Sequence, residues 1–449
     1  MKKFFGLLSF MALPAFAFAQ TTQLDSIVIV ATRATNKTPV AQTTIYNETI
    51  QQTKNGRDIP FLLELLPGIV SYSDNGTGIG STSFRIRGSD ASRTNISIDG
   101  VNINDSESQM VFWVNMPDLA SALKSIQVQR GVGTSTFGTG AFGGMVNMES
   151  HEASSAAYTK VESYYGSFNS FQSNVGIGTG KINDAFAFDA HYAYVSSDGY
   201  LERSGMWQQS ARINGSWEGS RHLLKASLNY GEQHSLLTFE GVPYDSLGVN
   251  RRFNMSGLYR DQQGNIRFYA DETDNYQQTR ALMHYIQTLG NSWKINTTLY
   301  YTKGKGYYEQ YKENASFSKY GIASQSIDGV VYGKGNLIRQ KGLDNDYYGI
   351  NLTALYAKER LNMTLGATAS RYDGDHIGSI LWTQYNTGAI AHKQHWYLNK
   401  GVKDEYSAFA KFSFDMLPVL TLFGDMQYRH VHFTMKGEDD DFYEKPLSG

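Results

Sequence analysis

The residues with the clearest chemical potential lie between Phe84 and Met148, where arginines and glycines recur at short intervals. Gly138–Gly143 reads GTGAFG and formally matches the G-x-G-x-x-G loop that cradles a dinucleotide phosphate. That chemistry also needs a following helix and repeated β-α-β units, and the sequence shows neither pattern here. We therefore interpret the glycines as turn residues, because glycine adopts bent and left-handed backbone at no steric cost. The turn glycines predicted in this way are Gly88, Gly100, Gly131, Gly138, Gly143 and Gly144.

Patterns for other active sites are weak. His392 with His395, and His430 with His432, have spacings that suit metal ligands, but supporting cysteines or carboxylates are not close in the sequence. We interpret these histidines as lumen or loop residues. The sequence contains no H-E-x-x-H pattern, no phosphate-binding lysine loop and no G-x-S-x-G elbow. We therefore expect no enzymatic activity, no cofactor and no resident metal.

The N-terminus predicts export. Residues 1–19 combine Lys2 and Lys3 with an apolar run, Phe4–Leu13, and end in the small-residue cleavage pattern Ala17–Ala19. A membrane anchor is the alternative, but the apolar run is too short to span a bilayer. We expect a signal peptide over residues 1–19 and a mature chain that begins at Gln20.

Composition favours an exported β-protein. The 449 residues include 44 glycines, 30 tyrosines, 24 phenylalanines, 8 prolines and no cysteine. Abundant aromatic residues with a polar remainder suit a transmembrane β-barrel, whose lumen is polar and whose outer surface is apolar. A soluble β-rich protein would share this composition. The net charge of −2 gives no indication of nucleic-acid binding.

The chain divides into two regions with different patterns of predicted secondary structure, and the glycine-rich block lies in the first of them. Up to residue 152 we expect a compact α+β unit, with a strand leading into a turn in Thr38–Gln51 and short helices at Asp58–Leu66 and Pro117–Leu123. Beyond His151 we expect about 10–11 long alternating strands, of which Ala185–Val195 (AFAFDAHYAYV) is the clearest. A β-sandwich has the same two-residue period but usually shorter strands, so the length favours a barrel wall.

The connections between these strands alternate in length. Short turns are predicted near residues 181–184, 218–220, 290–291 and 358–360, and long polar loops near residues 240–275, 309–345 and 373–404. Transmembrane barrels have short turns on the periplasmic side and long loops on the outside. This asymmetry therefore predicts that the short turns face the periplasm and the long loops face the outside.

The order of FRIRG (Phe84–Gly88), ISIDGVNIND (Ile96–Asp105) and IQVQRGVGTSTFGTGAFGGMVNM (Ile126–Met148) resembles the plug domain of TonB-dependent outer-membrane receptors. The resemblance implies a mainly β fold, namely an antiparallel transmembrane barrel with an N-terminal α+β plug in its lumen. It implies residues 20–36 as an N-terminal extension, 37–152 as the plug and 153–449 as barrel. Full-length barrels of this family have 22 strands, so we expect about half a barrel here, from a longer receptor.

Residues 24–32 (LDSIVIVAT) resemble the TonB box, the exposed peptide that the periplasmic protein TonB grips by edge-to-edge strand pairing. An ordinary first strand of the plug is the alternative. The residues assigned to the box are Asp25, Ser26, Ile27, Val28, Ile29, Val30 and Ala31.

The resemblance also implies roles for charged and polar side chains. Plug arginines of this family pair with barrel glutamates, so Arg85, Arg87 and Arg130 are predicted latches, with Glu162 and Glu202 as candidate partners. Plain structural pairing without a gating role is the alternative. Substrate binding is expected at plug apices and outer loops. The residues assigned to it are Asp74, Asn75, Arg93, Asn102, Asn104, Gln109, Trp113, Arg251 and Arg252.

The resemblance implies active import across the outer membrane of a Gram-negative bacterium, driven through TonB and its inner-membrane energising complex. A ferric siderophore or related iron chelate is the leading cargo, with cobalamin, haem and oligosaccharide as alternatives. We expect a monomeric barrel in outer-membrane lipid that takes a small-molecule chelate and binds no nucleic acid. A passive outer-membrane receptor or adhesin is the alternative from another functional class.

Overall fold

The computed structural model describes residues 31–138, 140–438 and 447–448. Two sheets dominate these residues, a five-stranded sheet on the N-terminal side and a twelve-stranded antiparallel sheet after it. The predicted mainly β fold, with an α+β plug against an antiparallel barrel wall, is confirmed. The predicted signal peptide and the predicted box residues Asp25–Val30 lie outside the described residues.

The plug sheet has the strand order β1-β6-β7-β4-β5, and its β4–β7 pair is parallel while the other pairs are antiparallel. Strands β2 and β3 form a separate hairpin beside it. The plug strands are β1 (Ala41–Tyr46), β2 (Ile69–Ser73), β3 (Thr82–Ile86), β4 (Thr94–Ile98), β5 (Val101–Asn102), β6 (Leu123–Arg130) and β7 (Gly144–Ser150).

The plug contains two short α-helices, α1 (Asn47–Thr53) and α2 (Ile59–Leu63). Helix α2 begins after Asp58, with Pro60 in its first turn, as the sequence predicts. Helix α1 lies where we predict only a strand and a turn, because the fully buried Ile50 joins the plug core and stabilises a segment of modest helix propensity.

The predicted helix Pro117–Leu123 is shorter than expected. Only Leu119–Ala122 is helical, as a single 3-10 turn, and β6 already begins at Leu123. Further 3-10 turns are found at Ala91–Arg93, Trp113–Asn115, Tyr244–Ser246 and Phe317–Tyr320.

Apolar side chains from both helices and from six of the seven plug strands, all except β5, meet in one core. Alternate residues of the strands point inward, as the two-residue period requires. The core members with at most 1% exposure are Ile50, Leu63, Phe84, Ile86, Ile96, Leu123, Ile126, Val128, Val146 and Met148.

The barrel wall pairs β8 through β23 in antiparallel order, with the short loop hairpins β13–β14 and β17–β18 outside the sheet. Eleven long strands and one two-residue strand form this sheet in the described part of the chain, which agrees with the predicted 10–11. The wall strands are β8 (Ala157–Gly166), β9 (Ser170–Thr179), β10 (Phe186–Ser197), β11 (Met206–Glu218), β12 (His222–Leu236), β15 (Thr273–Leu289), β16 (Trp293–Ser316), β19 (Lys334–Lys358), β20 (Leu361–Thr383), β21 (Gln394–Leu417), β22 (Leu420–Gly437) and β23 (Leu447–Ser448). The loop hairpins are β13 (Leu258–Arg260) with β14 (Ile266–Phe268), and β17 (Gln325–Ile327) with β18 (Val330–Tyr332).

The wall strands alternate between two faces. In β10, Phe186, Phe188 and Tyr192 are exposed on the outer face, whereas Ala187 and Ala193 are buried on the face toward the plug. This is the predicted alternation, with aromatic and apolar residues outside and small or polar residues inside.

The two ends of the wall differ. Short turns, for example residues 290–292 and 359–360, lie at one end, which we call the turn end. Residues 237–272, 317–333 and 384–393 connect the strands at the other, which we call the loop end. The predicted loops 309–345 and 373–404 are therefore too long. Strands β16, β19, β20 and β21 have 23 to 25 residues, and their polar outer halves stay paired in the sheet beyond the 9–11 residues that a membrane needs.

A second hydrophobic cluster lies under the loops at the loop end. Phe317, Tyr320, Leu337, Ile380 and Trp396 are all buried in it. The connections at the loop end therefore have a hydrophobic core of their own. No helix in the described part of the chain is both long and apolar enough to cross a lipid bilayer.

Candidate functional site

The plug presents one ordered segment, residues 99–116, to the loop end of the wall. Asp99 and Gly100 turn the chain with φ of 49° and 74°, a left-handed conformation that favours glycine. Asn104 then fixes the segment, because its Oδ1 accepts from the Ile96 amide (2.8 Å) and its Nδ2 donates to the carbonyls of Thr94 (2.9 Å) and Gln109 (2.7 Å). The segment is therefore held in shape before any ligand arrives.

A cavity of about 600 Å³, the outer cavity, separates this segment from strands β12 to β21. Its plug side includes Asn102, Asn104 and Phe112, and its wall side is rich in tyrosine. Tyrosine offers an apolar ring face and a polar hydroxyl, which suits planar organic ligands. The wall tyrosines that line it are Tyr276, Tyr307, Tyr308, Tyr347, Tyr372 and Tyr397.

Glu107 ties the plug segment to the wall beside this cavity. Its carboxylate is hydrogen-bonded to His376 Nε2 (2.8 Å) and accepts from the Tyr372 hydroxyl (3.1 Å). Gly401 makes this approach feasible, since a Cβ at that position would lie 2.2 Å from Glu107 Oε1. Lys403 Nζ also donates to the carbonyl of Ser106 (2.8 Å). No local pattern marks Glu107 in the sequence, because its partners His376 and Tyr372 lie about 270 residues away.

The predicted latch arginines do not pair with the predicted glutamates. Arg85 and Arg87 are exposed, because the two-residue period of β3 turns its buried neighbours Phe84 and Ile86 the other way. Arg130 donates to Thr43 Oγ1 (3.1 Å). None of the three arginines forms an ion pair within the described residues.

The first predicted partner, Glu162, forms ion pairs with lysines instead of arginines. Glu162 pairs with Lys54 (2.8 Å) and Lys160 (3.0 Å). The second candidate, Glu202, pairs with its neighbour Arg203 (3.4 Å). Of these three pairs, only Lys54–Glu162 joins plug and wall.

Other polar contacts complete the boundary between plug and wall. Asn351 Nδ2 donates to the Gly100 carbonyl (3.2 Å), and Gln172 Nε2 donates to Asp118 (2.6 Å). Burial raises the pKa of Asp118 to about 6, an effect that its hydrogen bond from Ser121 partly offsets. The boundary therefore combines individual hydrogen bonds and ion pairs with small apolar contacts, namely Ile79 against Val195 and Met206, and Phe137 against Phe409 (ring centroids 5.2 Å apart). It is not a continuous apolar surface.

The start of the described chain is anchored at the turn end. Ala31, the last predicted box residue, is buried, and its carbonyl accepts from Lys411 Nζ (2.9 Å). Arg33 donates to Ser125 Oγ (2.8 Å) and to the Asn147 carbonyl (2.8 Å), which joins it to β6 and β7. Lys37 pairs with Asp415 of the wall (2.6 Å). The residues next to the predicted TonB box thus contact both plug and wall.

The predicted substrate residues fall into separate places. Asn102 and Asn104 line the outer cavity. Trp113 is buried against Phe84 (ring centroids 6.1 Å apart), and Gln109 lies in the plug segment with φ of 62°. The carbonyl of Arg93 accepts from the Gly143 amide (3.0 Å), away from the cavity.

Two of the four remaining predicted substrate residues, Asn75 and Arg252, contact Tyr200. The carbonyl of Asn75, next to Asp74 in the β2–β3 hairpin loop, accepts from the Tyr200 amide (2.8 Å). Arg252 Nε donates to the Tyr200 carbonyl (2.6 Å), and Arg251 Nε donates to Leu247 (3.3 Å). None of these four lines the outer cavity.

The predicted turn glycines lie where the backbone bends or approaches closely. Gly88, Gly100, Gly131 and Gly138 have φ between 74° and 101°. Gly143 and Gly144 have no left-handed φ, but a Cβ on Gly144 would lie 2.9 Å from the Gln129 carbonyl oxygen. The G-x-G-x-x-G run leads into strand β7 rather than a helix, which opposes the dinucleotide interpretation. The described residues contain no cluster of three His, Asp or Glu side chains that could hold a metal.

An antiparallel wall with aromatic residues on its outer face and a plug on its inner face is the plug-plus-barrel architecture of outer-membrane β-barrel proteins. Residues 34–145 match the TonB-dependent Receptor Plug Domain family. The plug match, the fold and the distant relatives together support assignment to the TonB-dependent receptor family, whose members are outer-membrane proteins of Gram-negative bacteria.

Individual relatives are distant. The chain is 26% identical over 190 residues to the vitamin B12 transporter BtuB of Vibrio vulnificus, which covers 41% of this chain and 30% of that protein. It is 23% identical over 283 residues to the ferrienterobactin receptor of Escherichia coli, which covers 58% and 38%.

Solved structures support the fold. The unliganded ferric citrate transporter FecA superposes with a TM-score of 0.66 and 15% identity, over 89% of this chain and 57% of that one. The chain therefore spans a little more than half the length of this structural neighbour.

Proposed function

We propose that the protein imports a scarce nutrient complex, a ferric siderophore or related iron chelate, across the outer membrane in a TonB-dependent reaction. The outer cavity carries this proposal, because about 600 Å³ of tyrosine-lined space opens directly above a plug that blocks the lumen. Distant relatives named for siderophore and vitamin B12 uptake are consistent with it.

In this mechanism the cargo binds at the loop end, which faces the outside. The predicted box, Asp25–Ala31, then becomes available in the periplasm, where TonB pairs with it and pulls. Energy comes from the inner-membrane proton gradient through that contact. The anchoring of Ala31 and Arg33 to wall and plug supports this role, because a pull on the box reaches the plug within two residues.

The proposal includes the organisation inferred from the sequence. Residues 1–19 are removed on export, residues 20–36 carry the box, residues 37–152 form the plug and the wall follows from 153. The barrel functions as a monomer, and outer-membrane lipid covers its apolar outer face, which includes Ile213, Leu228 and Leu352.

Deletion of Asp25–Ala31 in the full-length protein tests energy coupling. We expect uptake of the labelled iron chelate to be abolished and its binding to isolated outer membranes to be unchanged. Uptake that persists after the deletion, or in cells without TonB, would instead indicate a passive receptor. Growth tests with iron chelates, cobalamin and haem then identify the cargo.

A further inference from the structure

Three cavities follow one another along the same part of the wall. Below the outer cavity lies a middle cavity of about 110 Å³, and below that an inner cavity of about 50 Å³. Gln278 and Arg280 line both the outer and the middle cavity, and Asn214 and Leu282 line both the middle and the inner one. The three therefore form an interrupted row from the loop end toward the turn end, between the plug and strands β11, β12 and β15.

Two arginines of the wall face the middle cavity without a carboxylate partner. The only hydrogen bond from Arg280 within the described residues runs from Nη1 to the Met116 sulfur (3.1 Å). Arg212 has a buried Nε without a hydrogen-bond partner, and neither arginine forms an ion pair within the described part of the chain. An enclosed guanidinium without an anionic partner is costly, so this arrangement calls for an explanation.

The carboxylates near this cavity already accept hydrogen bonds from groups other than the two arginines. Asp99 accepts from the Ser150 amide (2.9 Å) and hydroxyl (2.6 Å), and Asp118 accepts from Ser121 and Gln172. On the wall, Asp189 accepts from Asn214 Nδ2 (2.7 Å). These carboxylates supply negative charge at a distance but leave the guanidinium N–H groups free to bind something in the cavity.

We propose that the middle cavity is an intermediate binding site for an anionic oxygen group on the cargo, a carboxylate or a phosphate, with Arg280 and Arg212 as its ligands. The planar guanidinium fork matches both groups and forms paired charge-assisted hydrogen bonds with them. This inference rests on the proposed import function and adds both a substrate class and a route along β11, β12 and β15.

The size of the cavity limits what it holds. At about 30 Å³ per water, 110 Å³ corresponds to three or four water molecules. One carboxylate or phosphate fits, but a whole chelate does not. The body of the cargo therefore stays among the tyrosines of the outer cavity while its anionic arm reaches past Arg280. Arg280 stands at the junction because it lines both spaces.

Inorganic phosphate tests the site without knowledge of the cargo. The thermal midpoint of the purified full-length protein is measured in phosphate and in chloride at equal ionic strength. The variants are Arg280→Gln and Arg212→Gln. The control is Arg221→Gln, which removes an equal charge from the exposed turn between β11 and β12.

Phosphate also stabilises proteins by exclusion from their surface, so the comparison between variants is decisive. We expect phosphate to raise the midpoint further in the wild type and in Arg221→Gln than in the two cavity variants. An equal rise in all four proteins would overturn the site and show that the arginines are structural only.

Two iron chelates then test the substrate class. Ferric citrate carries free carboxylates, whereas an uncharged ferric tris-hydroxamate carries none. We expect Arg280→Gln to weaken binding of ferric citrate to outer membranes by about tenfold or more, the loss of one charge-assisted contact, and to leave tris-hydroxamate binding within about twofold. A parallel loss for both chelates, or wild-type preference for the uncharged one, contradicts the proposal. The deletion of Asp25–Ala31 tests the proposed import function, whereas the phosphate and chelate experiments test the arginine site. A failure of one proposal is therefore distinguishable from a failure of the other.

Discussion

The interior of the plug and the boundary between plug and wall differ in chemistry. Inside the plug, side chains such as Ile86, Ile126 and Met148 are fully buried among apolar neighbours. At the boundary, Lys54–Glu162 and Glu107–His376 are typical contacts, and cavities interrupt them. The plug is thus a unit with its own hydrophobic core, attached to the wall by discrete polar contacts and a few small apolar ones.

This difference has an energetic consequence. Water offers no substitute for the contacts of a buried apolar side chain, so its exposure costs the full free energy of burial. A single polar contact contributes only about 1 kcal/mol, because water can substitute for either partner. We therefore expect the plug to keep its fold when individual contacts with the wall are exchanged. A plug that shifts against the wall while it stays folded is what passage along the row of cavities requires.

The largest effect is expected in the plug core. Ile126→Asp places a carboxylate in an apolar site and should destabilise the plug by at least about 4 kcal/mol. Proteolysis should cut the plug while the wall remains resistant. Val132→Asp, at an exposed position two residues beyond β6, is the control and should leave the plug intact. Equal resistance in both variants would contradict a self-contained plug core.

A substitution on the outer face of the wall should act on the wall alone. Ile213 of β11 is 57% exposed on the lipid side. Ile213→Arg should cost about 2–4 kcal/mol of wall stability in membranes, because a charge then faces hydrocarbon. Denaturant unfolding in lipid vesicles measures this loss, and Ile213→Leu is the matched control. An unchanged midpoint for the arginine variant would argue against lipid at this face.

The plug should lose stability as pH rises from about 4 to 7. Burial raises the pKa of Asp58 to about 7, although hydrogen bonds from Thr82 and Gly80 oppose the shift. A folded-state pKa above the unfolded value means that this contribution is present in acid and lost as the carboxyl ionises. The rise of the Asp58 pKa from 3.8 to about 7 corresponds to at most about 4 kcal/mol of plug stability.

Asp58→Asn keeps an acceptor oxygen for the Gly80 amide (2.9 Å) and for Thr82 Oγ1 (2.9 Å) but cannot ionise. The variant should therefore show a flatter dependence of plug stability on pH than the wild type, measured as the plug's resistance to proteolysis in denaturant. Identical slopes for the two proteins would refute the assignment to Asp58.

The smallest effect is expected at the boundary. Glu107→Gln removes the charge that binds His376 and Tyr372 and should cost about 1 kcal/mol locally, with the plug still folded. Amide exchange in residues 105–110 should quicken roughly fivefold, by the same conversion. Glu64→Gln, an exposed plug position, is the control. Global unfolding of the plug in Glu107→Gln would contradict the distinction drawn here.

The regular part of the fold could be predicted from local pattern. Strands such as β10 follow from a strict two-residue alternation, and helix α2 follows from Asp58 and Pro60. The long outer halves of β16 and β19 could not be predicted, because their polar residues resemble loop sequence and are held by pairing with each other. Helix α1 cannot be predicted from local pattern, because the burial of Ile50 in the plug core stabilises it.

The candidate site was less predictable than the fold. Asn102 and Asn104 lie in a recognisable motif, and both line the outer cavity. The partners of Glu162 and Glu107 depend on how plug and wall are placed against each other. The wall arginines Arg212 and Arg280 alternate with apolar residues in their strands, and sequence alone does not distinguish them from other lumen-facing polar residues.

The attachment of Arg33 has a mechanical meaning. Its guanidinium bonds to β6 and β7, which occupy the second and third places in the five-stranded plug sheet, rather than to the edge strand β1. Tension that arrives from the N-terminal side of Ala31 therefore enters the sheet in its interior. Several backbone hydrogen bonds share such a load, whereas a pull on an edge strand would open them one after another. We therefore expect the plug sheet to resist such a pull up to a force threshold, above which its central strands separate together.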